Sequence, residues 1–182
     1  MNHSTEVSNP EASTKLIIVM GVAGSGKSTV AKNLADHYQY CYLDADDFHT
    51  EENRKRMAEG LPLTDEMRVP WVNSLKTYLQ QADKENKHCV LAFSGLRRIH
   101  RNTLRSAGLK TMFIFLNGQK DTIQQRVNLR KNHFMSPGLV NSQFNALEDP
   151  SKEKDVHTMD VSVSLAQVIE NVIRKVDSIF FD

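Results

Sequence analysis

The sequence contains no long hydrophobic run, few cysteines and almost no net charge. No stretch approaches the ~18 apolar residues of a membrane span, and the polar start, Met1 to Thr14, lacks the apolar centre of a secretory signal. The 23 basic and 22 acidic residues leave a formal charge of +1, which argues against a general nucleic-acid or membrane surface. The two cysteines, Cys41 and Cys89, fall in predicted buried strands and indicate a reducing compartment. We expect a cytoplasmic protein that binds neither nucleic acid nor membranes.

The composition is that of an ordinary globular domain. The chain has 182 residues, of which 40% are hydrophobic and 25% charged. This length favours one domain with a substantial core. We predict a disordered tail over residues 1–14 and a single domain over residues 15–182.

One stretch fits the phosphate-binding loop pattern G-x-x-x-x-G-K-[ST], which begins at Gly21 and ends at Ser28. The pattern predicts that backbone N–H groups and the start of a helix hold the phosphates of ATP. Lys27 would reach the β- and γ-phosphates, and the Ser28 hydroxyl would bind Mg²⁺. The predicted ATP-binding residues of the loop are Gly21, Val22, Ala23, Gly24, Ser25, Gly26, Lys27, Ser28 and Thr29.

The flanks of this loop decide between a phosphate site and a glycine-rich turn. Lys15 to Met20 is a short apolar run, as expected of a buried parallel strand. Thr29 to Tyr38 contains neither glycine nor proline and predicts a helix. Strand, loop and helix follow in the required order, which favours the phosphate site.

Strands and helices alternate along the rest of the chain, which predicts an α/β fold with a parallel sheet between two helical layers. The predicted strands are Lys15–Met20, Tyr40–Leu43, Cys89–Phe93, Thr111–Leu116 and Val156–Val161. The further predicted helices are Glu51–Glu59, one that Pro70 opens after a loop from Leu61 to Val69, Arg97–Ala107, Lys120–Lys131 and Leu165–Phe180. A polar excursion near the active edge predicts a helical lid over about residues 126–155.

Two acidic residues follow the second predicted strand, where ligands bind in open parallel sheets. Asp44 and Asp46 are one residue apart, so in extended chain both carboxylates face the same side. Asp44 would hold Mg²⁺, and Asp46 would accept the proton of an attacking hydroxyl. The alternative is an acidic turn that caps the next helix. Asp47 would point away.

Arginines are the candidates for neutralising the transferring phosphoryl group. Arg126 and Arg130 are four residues apart on one predicted helix face; the alternative is a solvated basic face. Arg97, just after the turn that ends strand three, is placed to meet an anionic substrate. Arg101 and Arg105 are predicted to lie at the surface.

The chain resembles the thermoresistant gluconokinase family from Leu16 to Val176. The most specific segments are D-x-D-x-x-H, from Asp44 to His49, and P-L-x-D-x-x-R-x-P-W, from Pro62 to Trp71. Further matches include Asn53, Arg56, Ser94, Arg126, Arg130, His133, Gln143 and Glu148.

The resemblance implies a P-loop fold of the nucleoside monophosphate kinase type and transfer of the ATP γ-phosphate to the 6-hydroxyl of D-gluconate. By similarity, Asp46 and His49 would lie near the sugar acid, and Arg126 and Arg130 would belong to the lid over ATP. Together with the residue chemistry above, this leads us to expect Lys27, Asp46 and Arg130 as catalytic residues. The expected substrate residues are Asp46, His49, Arg56, Arg97 and His133. The resemblance also favours a homodimer.

Two positions depart from the family pattern after strand three. Arg97 stands where the family has lysine, and His100 where it has tyrosine. Two alternatives to a gluconokinase therefore stay open. One is a kinase of the same fold that acts on another small hydroxylated acceptor, such as a related sugar acid, a polyol, shikimate or a nucleotide. The other is a nucleotide-binding regulator without turnover.

Overall fold

A computed structural model describes residues 13–130 and 137–182. Its centre is one sheet of five parallel strands in the order β2-β3-β1-β4-β5. The strands are β1 Lys15–Met20, β2 Cys41–Asp44, β3 Cys89–Ala92, β4 Lys110–Asn117 and β5 Val156–Asp160. The predicted five-stranded parallel sheet is confirmed, with strand bounds that differ from the prediction by no more than one residue.

Helices cover both faces of the sheet. They are α1 Lys27–Tyr38, α2 Glu51–Ala58, α3 Asp65–Lys84, α4 Arg98–Arg105, α5 Lys120–Leu129, α6 Pro137–Ala146 and α7 Leu165–Phe180. A 3₁₀ turn, Ala45–Phe48, follows β2. Within the described ranges, no helix has both the length and the apolar character that a membrane span requires.

Side chains of β1 alternate between two hydrophobic cores, as the period of two in a strand requires. Ile17 and Val19 face the core built with α1 and α7, and Leu16 and Ile18 face the core built with α3 and α4. The whole of β1 after Lys15 is buried. This burial on both faces fixes the carboxyl end of β1, and with it the start of the phosphate loop.

The prediction that Pro70 opens a helix is wrong. Helix α3 begins at Asp65, because Thr64 caps it by accepting a hydrogen bond from Met67 N at 3.3 Å. Asp65 and Glu66 add negative charge to the first turn, where the helix dipole favours it. Pro70 lies inside the second turn.

The prediction that Arg101 lies at the surface is also wrong, whereas Arg105 is partly exposed. The Arg101 side chain is fully buried, and its guanidinium binds Glu153 and the carbonyls of Gly95 and Glu148. Arg105 pairs with Glu153 and Asp155. Together these contacts fasten α4 to the segment that leads into β5.

The structure describes only parts of the predicted N-terminal tail and of the predicted lid. Thr14, which we assigned to the tail, is buried, and its carbonyl accepts a hydrogen bond from Lys110 N at 2.8 Å. Residues 1–12 and part of the predicted lid, residues 131–136, lie outside the described residues. The mobility of the lid stays a prediction.

Candidate active site

The phosphate loop turns tightly because two of its glycines adopt left-handed backbone angles. Gly26, the residue before α1, has φ 98°, and Gly24 has φ 80°. A Cβ atom on Gly24 would lie 2.7 Å from Val127 Cγ2. Glycine at position 24 therefore lets α5 approach the loop, which brings the arginines at the end of α5 to the phosphate site.

Lys27 lies half-buried against the loop, and its Nζ donates a hydrogen bond to Val22 O at 3.0 Å. Desolvation lowers the pKa of Lys27 to about 8, against the opposing effect of Asp46 and Asp44. The positive charge of Arg130 lowers it further. Asp44, Asp46 and Arg130 thus all lie within electrostatic range of this ammonium group.

One cavity of about 430 Å³ opens beside the phosphate loop, within the size range of small-molecule sites, and we call it the nucleotide cavity because predicted ATP-binding residues line it. Its loop-side lining includes Ser25, Gly26 and Thr29. Its outer wall is apolar: Leu129, Val163 and Leu165 line it and are among the exposed large hydrophobic residues. Arg126 also lines this cavity, and its Nη2 donates to Val161 O at 2.7 Å.

A second cavity of about 250 Å³ lies on the other side of the loop. The ionisable residues in its lining are Lys27, Asp44, Asp46, His49, Arg68 and Arg130. Its further lining includes Ala23, Trp71, Ser94 and Gln143. The structure therefore brings the predicted acidic pair and the predicted lysine into one cleft.

Gly24 and Arg130 line both cavities. Arg130 is the residue that follows α5, with extended backbone angles, and so does not continue the helix face of Arg126 as predicted. This turn of the backbone is what separates the two arginines. Arg126 lines only the nucleotide cavity, while Arg130 lies at the junction of the two cavities.

Asp44 and Asp46 share the cleft for a different reason from the one predicted. The chain is not extended there, because Asp46 lies in the 3₁₀ turn after β2. Asp44 Oδ1 accepts a hydrogen bond from Asp46 N at 2.9 Å, which folds the chain over the end of the strand. Asp44 thus caps the turn as well as lining the cleft. Asp47 does not line it.

The carboxyl group of Asp46 is well placed to receive a proton. Its side chain is 81% exposed to water. Partial desolvation by the protein nearby and the neighbouring charge of Asp44 raise the pKa of Asp46, while Lys27 lowers it. The net direction makes Asp46 a better proton acceptor than an ordinary aspartate.

His49 forms part of the cleft wall as a neutral ring. It is buried, stacks on Trp71 with ring centroids 4.1 Å apart, and its Nε2 lies 3.7 Å from Asp46 Oδ1. Burial and the charges of Arg54 and Arg68 lower the pKa of His49 to about 4. At neutral pH this ring can bind a hydroxyl group but carries no charge.

Three predicted substrate residues are not part of the described cleft lining. Arg97 faces a separate cavity, where it pairs with Asp65 at 3.4 Å and Glu148 at 3.8 Å. Arg56 Nε donates to Pro62 O at 2.9 Å and so supports a loop that lines the cleft, without lining the cleft itself. His133 lies outside the described residues. Since His100 lines the same separate cavity as Arg97, neither departure from the family pattern is in the cleft lining.

Several lining residues were not among the predicted site residues, and two of them have polar side chains that form hydrogen bonds with other residues. Arg68 lines the cleft and donates to Asp65 Oδ1 at 3.2 Å. Gln143, from α6, accepts a hydrogen bond from Ala23 N in the phosphate loop at 2.6 Å. Both belong to segments that carry the family resemblance, which was the available signal. Which side chains in those segments turn inwards depends on packing between distant segments and cannot be read from the local pattern.

The cleft contains a pair of oxygen donors that suits Mg²⁺. Ser28 Oγ lies 3.5 Å from Asp44 Oδ2, and the Tyr42 hydroxyl donates to the same carboxylate oxygen at 3.2 Å. Mg²⁺ is usually held by one or two protein oxygens together with phosphate and water. Among the described residues there is no group of three or more His, Cys, Asp or Glu placed to hold a metal. The donor set therefore fits an ion that arrives with the nucleotide.

Comparison with known proteins places the chain in a family of kinases. A family model described as shikimate kinase matches residues 23–177. The mouse protein named probable gluconokinase is 38% identical over 175 residues, which cover 87% of this chain and 95% of the relative.

Solved structures agree. A gluconokinase from Sinorhizobium meliloti 1021 superimposes with a TM-score of 0.81 at 32% identity, covering 93% of this chain and 97% of that one. The thymidylate kinase of Candida albicans, at 17% identity and a TM-score of 0.61 over 91% of this chain and 92% of its own, shows the same fold. This confirms the predicted nucleoside monophosphate kinase type of fold. The chain belongs to the gluconokinase family of P-loop kinases, within the wider group that the shikimate kinase model describes.

Proposed function

We propose that this protein transfers the γ-phosphate of ATP to the 6-hydroxyl of D-gluconate, with Mg²⁺ as the metal. The observation that carries this proposal is the junction at Gly24 and Arg130, where a nucleotide-sized cavity meets a cleft that contains Asp44 and Asp46. The name and identity of the gluconokinase relatives support gluconate as the acceptor.

The proposed reaction assigns one role to each group in the cleft. The acceptor hydroxyl oxygen forms a bond to the γ-phosphorus while the bond from that phosphorus to the bridging oxygen of ADP breaks. The hydroxyl proton passes to the Asp46 carboxylate. Lys27 and Arg130 offset the charge of the phosphoryl oxygens. Ser28 and Asp44 would hold Mg²⁺, which neutralises phosphate charge when bound.

The nucleotide would bind with its phosphates on the loop and its base in the larger cavity. The exposed apolar side chains of Leu129, Val163 and Leu165 give a base a surface to pack against. Arg126 lines the same cavity, and we propose that it contacts ATP there. In the acceptor cleft, Arg68 is the guanidinium we propose for the carboxylate of the sugar acid, and the neutral His49 ring would bind a hydroxyl.

The test is a coupled measurement of ADP release with Mg·ATP and a panel of acceptors: gluconate, a related sugar acid, a polyol and shikimate. We expect gluconate to give the highest kcat/KM. Preference for shikimate would instead support the second candidate, a shikimate-type acceptor, which the description of the matching family model favours. ATP binding without turnover on any acceptor would contradict both.

The role of Asp46 has a matched control in its neighbour. Asp46→Asn keeps the size of the side chain and removes the proton acceptor, so we expect kcat to fall by about 10²–10⁴-fold. Asp47→Asn makes the same change one residue away, outside the cleft lining, and should leave kcat within about twofold. Equal activity of the two variants would remove Asp46 from the mechanism.

We also propose that the protein is a homodimer and that it is cytoplasmic. The homodimer rests on the family resemblance, and sedimentation of the purified chain measures it directly. The cytoplasmic location rests on the composition of the sequence and on a reaction that needs ATP.

A further inference from the structure

A side chain of helix α6 forms a hydrogen bond with the phosphate loop. The Ala23 N–H group donates a hydrogen bond to Gln143 Oε1 at 2.6 Å, across 120 residues of chain. A backbone N–H can only donate, so the Gln143 atom that faces it must be the amide oxygen. The loop therefore gives one of its phosphate-binding donors to a neutral oxygen from α6.

Ala23 occupies the acceptor side of the loop. Ser25, Gly26 and Thr29 line the nucleotide cavity, whereas Ala23 lines the acceptor cleft. Gly24, between these two groups, lines both. If the earlier phosphates lie along the nucleotide side, the phosphate nearest Ala23 is the last one of the chain. Ala23 N–H thus lies where the terminal phosphoryl group of ATP needs a donor.

Gln143 is not needed to hold α6 in place. Leu139 and Val140 are buried on the helix, and just beyond its end the Glu148 N–H donates to Leu96 O at 2.8 Å. These contacts fix α6 independently, so the Gln143 side chain can change partner while the helix stays.

We propose that Gln143 Oε1 stands in for an oxygen of the terminal phosphoryl group, and that ATP displaces it from Ala23 N–H while ADP does not. ADP lacks the phosphoryl group that reaches Ala23, so the hydrogen bond from the loop to α6 persists in its presence. Gln143 is then a specificity-determining residue that makes the loop respond to the third phosphate and passes that response to the wall of the acceptor cleft. The inference rests on the ATP-binding part of the proposed function.

The two substitutions at this position have opposite expected effects. Gln143→Ala removes the competitor for Ala23 N–H, so a non-hydrolysable ATP analogue should bind about 2- to 10-fold more tightly. Gln143→Glu puts a carboxylate at the same donor, which competes more strongly and repels the phosphoryl group. The analogue should then bind at least about 10-fold more weakly. ADP affinity should change less than the analogue's in both variants.

The experiment is calorimetric titration of the full-length protein with Mg·ADP and with the Mg complex of the β,γ-imido analogue. Asn145→Ala is the matched control, because it deletes an exposed side-chain amide from the same helix. It should leave the ratio of the two affinities unchanged. The Ala23 amide resonance of ¹⁵N-labelled protein gives a second readout: the analogue should shift it much more than ADP does.

Two results would overturn the inference. If both Gln143 variants keep the wild-type ratio of analogue to ADP affinity, Gln143 does not sense the third phosphate. If Gln143→Ala selectively weakens the analogue, Gln143 is a ligand of the phosphoryl group and not its stand-in. A merely structural role would shift both nucleotides together. The binding result is independent of the acceptor, so failure of gluconate as a substrate would leave it intact.

Discussion

At the scale of single residues, folding lowers the pKa of the Lys27 ammonium group. Protein replaces most of the water around it, and desolvation lowers its pKa to about 8. Two neighbouring aspartates oppose this effect, and Arg130 adds to it. The lysine that should bind phosphates therefore begins to lose its proton just above neutral pH.

This predicts a pH dependence of ATP use. Only the protonated lysine binds phosphate, and raising the pH through about 8 deprotonates Lys27 in the free enzyme. We expect kcat/KM for ATP to be level below this pH and to fall about tenfold per pH unit above it. Bound phosphates raise the pKa, so kcat should stay level to higher pH.

Two lysine-to-arginine variants check the assignment. The fall of kcat/KM above pH ~8 is a break in the pH profile. Lys27→Arg keeps its charge at all these pH values, so its profile should lack the break, although its activity should be low. Lys32→Arg, an exposed position on the same helix, should keep the break. A break in the Lys27→Arg profile at the wild-type pH would assign it to another group.

A second prediction concerns which arginine meets the acid group of the substrate. Arg68 lines the cleft, whereas Arg56, which lies in a segment that carries the resemblance, only supports a lining loop through Pro62 O. We expect Arg68→Met to raise KM for gluconate about 10- to 100-fold, since a hydrogen bond to a charged group contributes about 1.5–3 kcal/mol.

Arg56→Met is the matched control for this change. It should alter KM for gluconate by less than about threefold, because Arg56 is not in the cleft lining. Steady-state kinetics at saturating ATP measure both variants. A larger effect at position 56 than at position 68 would support the sequence-based choice over the one from the cleft geometry.

At the scale of elements, strands were predicted more accurately than helix starts. The strands are short apolar runs buried on both faces, so composition alone marks them. The predicted start of α3 is wrong because proline is common at the first position of a helix, which favoured Pro70. The actual start signals come earlier: the Thr64 cap, six residues before Pro70, and the acidic first turn that follows the cap. Arg101 was misplaced because its sequence neighbours are basic, and its partner Glu153 is 52 residues away.

The buried Arg101 is a connection between elements. It joins α4 to Glu153, to the turn after β3 at Gly95 and to the end of α6 at Glu148. Arg101→Met keeps the side-chain length but leaves the nearly buried Glu153 with fewer partners. We expect the free energy of unfolding to fall by about 3 kcal/mol, which corresponds to a Tm loss of roughly 6–12 °C.

Arg98→Met is the comparison that isolates burial. Arg98 lies on the same helix and approaches the same Glu153 at 3.9 Å, but its side chain is 66% exposed. Its loss should cost less than about 1 kcal/mol, as is usual for exposed pairs. Thermal unfolding followed by circular dichroism measures both, and equal Tm losses would show that burial of the pair is not what matters.

At the scale of the whole molecule, the sheet determines which parts of the site a sequence can reveal. Residues just after β1 and β2 meet at one edge because parallel strands share their carboxyl ends, so Lys27, Ser28, Asp44 and Asp46 were predictable from order alone. Arg68 and Gln143 come from helices, where the facing direction depends on packing across distant segments. The same dependence turns Arg97 away from the cleft.

Folding of the whole molecule also removes water from four histidines, two of them buried and two partly buried, and this predicts that acid destabilises the protein. Desolvation lowers the pKa of His88, His100 and His157 as it does that of His49, which reaches about 4. Below pH ~6.5 the unfolded chain takes up protons that the folded protein cannot. The contribution of these histidines to the free energy of unfolding should therefore be fully present above this pH and should decline as the pH falls towards about 4.

The contribution of His49 can be separated from the others. His49→Phe keeps an aromatic ring to stack on Trp71 but has no proton to gain, so its loss of unfolding free energy between pH 7 and pH 5 should be smaller than that of the wild type by up to about 2 kcal/mol. His37→Phe, at an exposed position on α1, should follow the wild type. Urea unfolding at the two pH values measures the difference. If His49→Phe and the wild type lose the same free energy, the acid sensitivity belongs to other groups, because a group that carries no titrating proton cannot contribute to the pH slope.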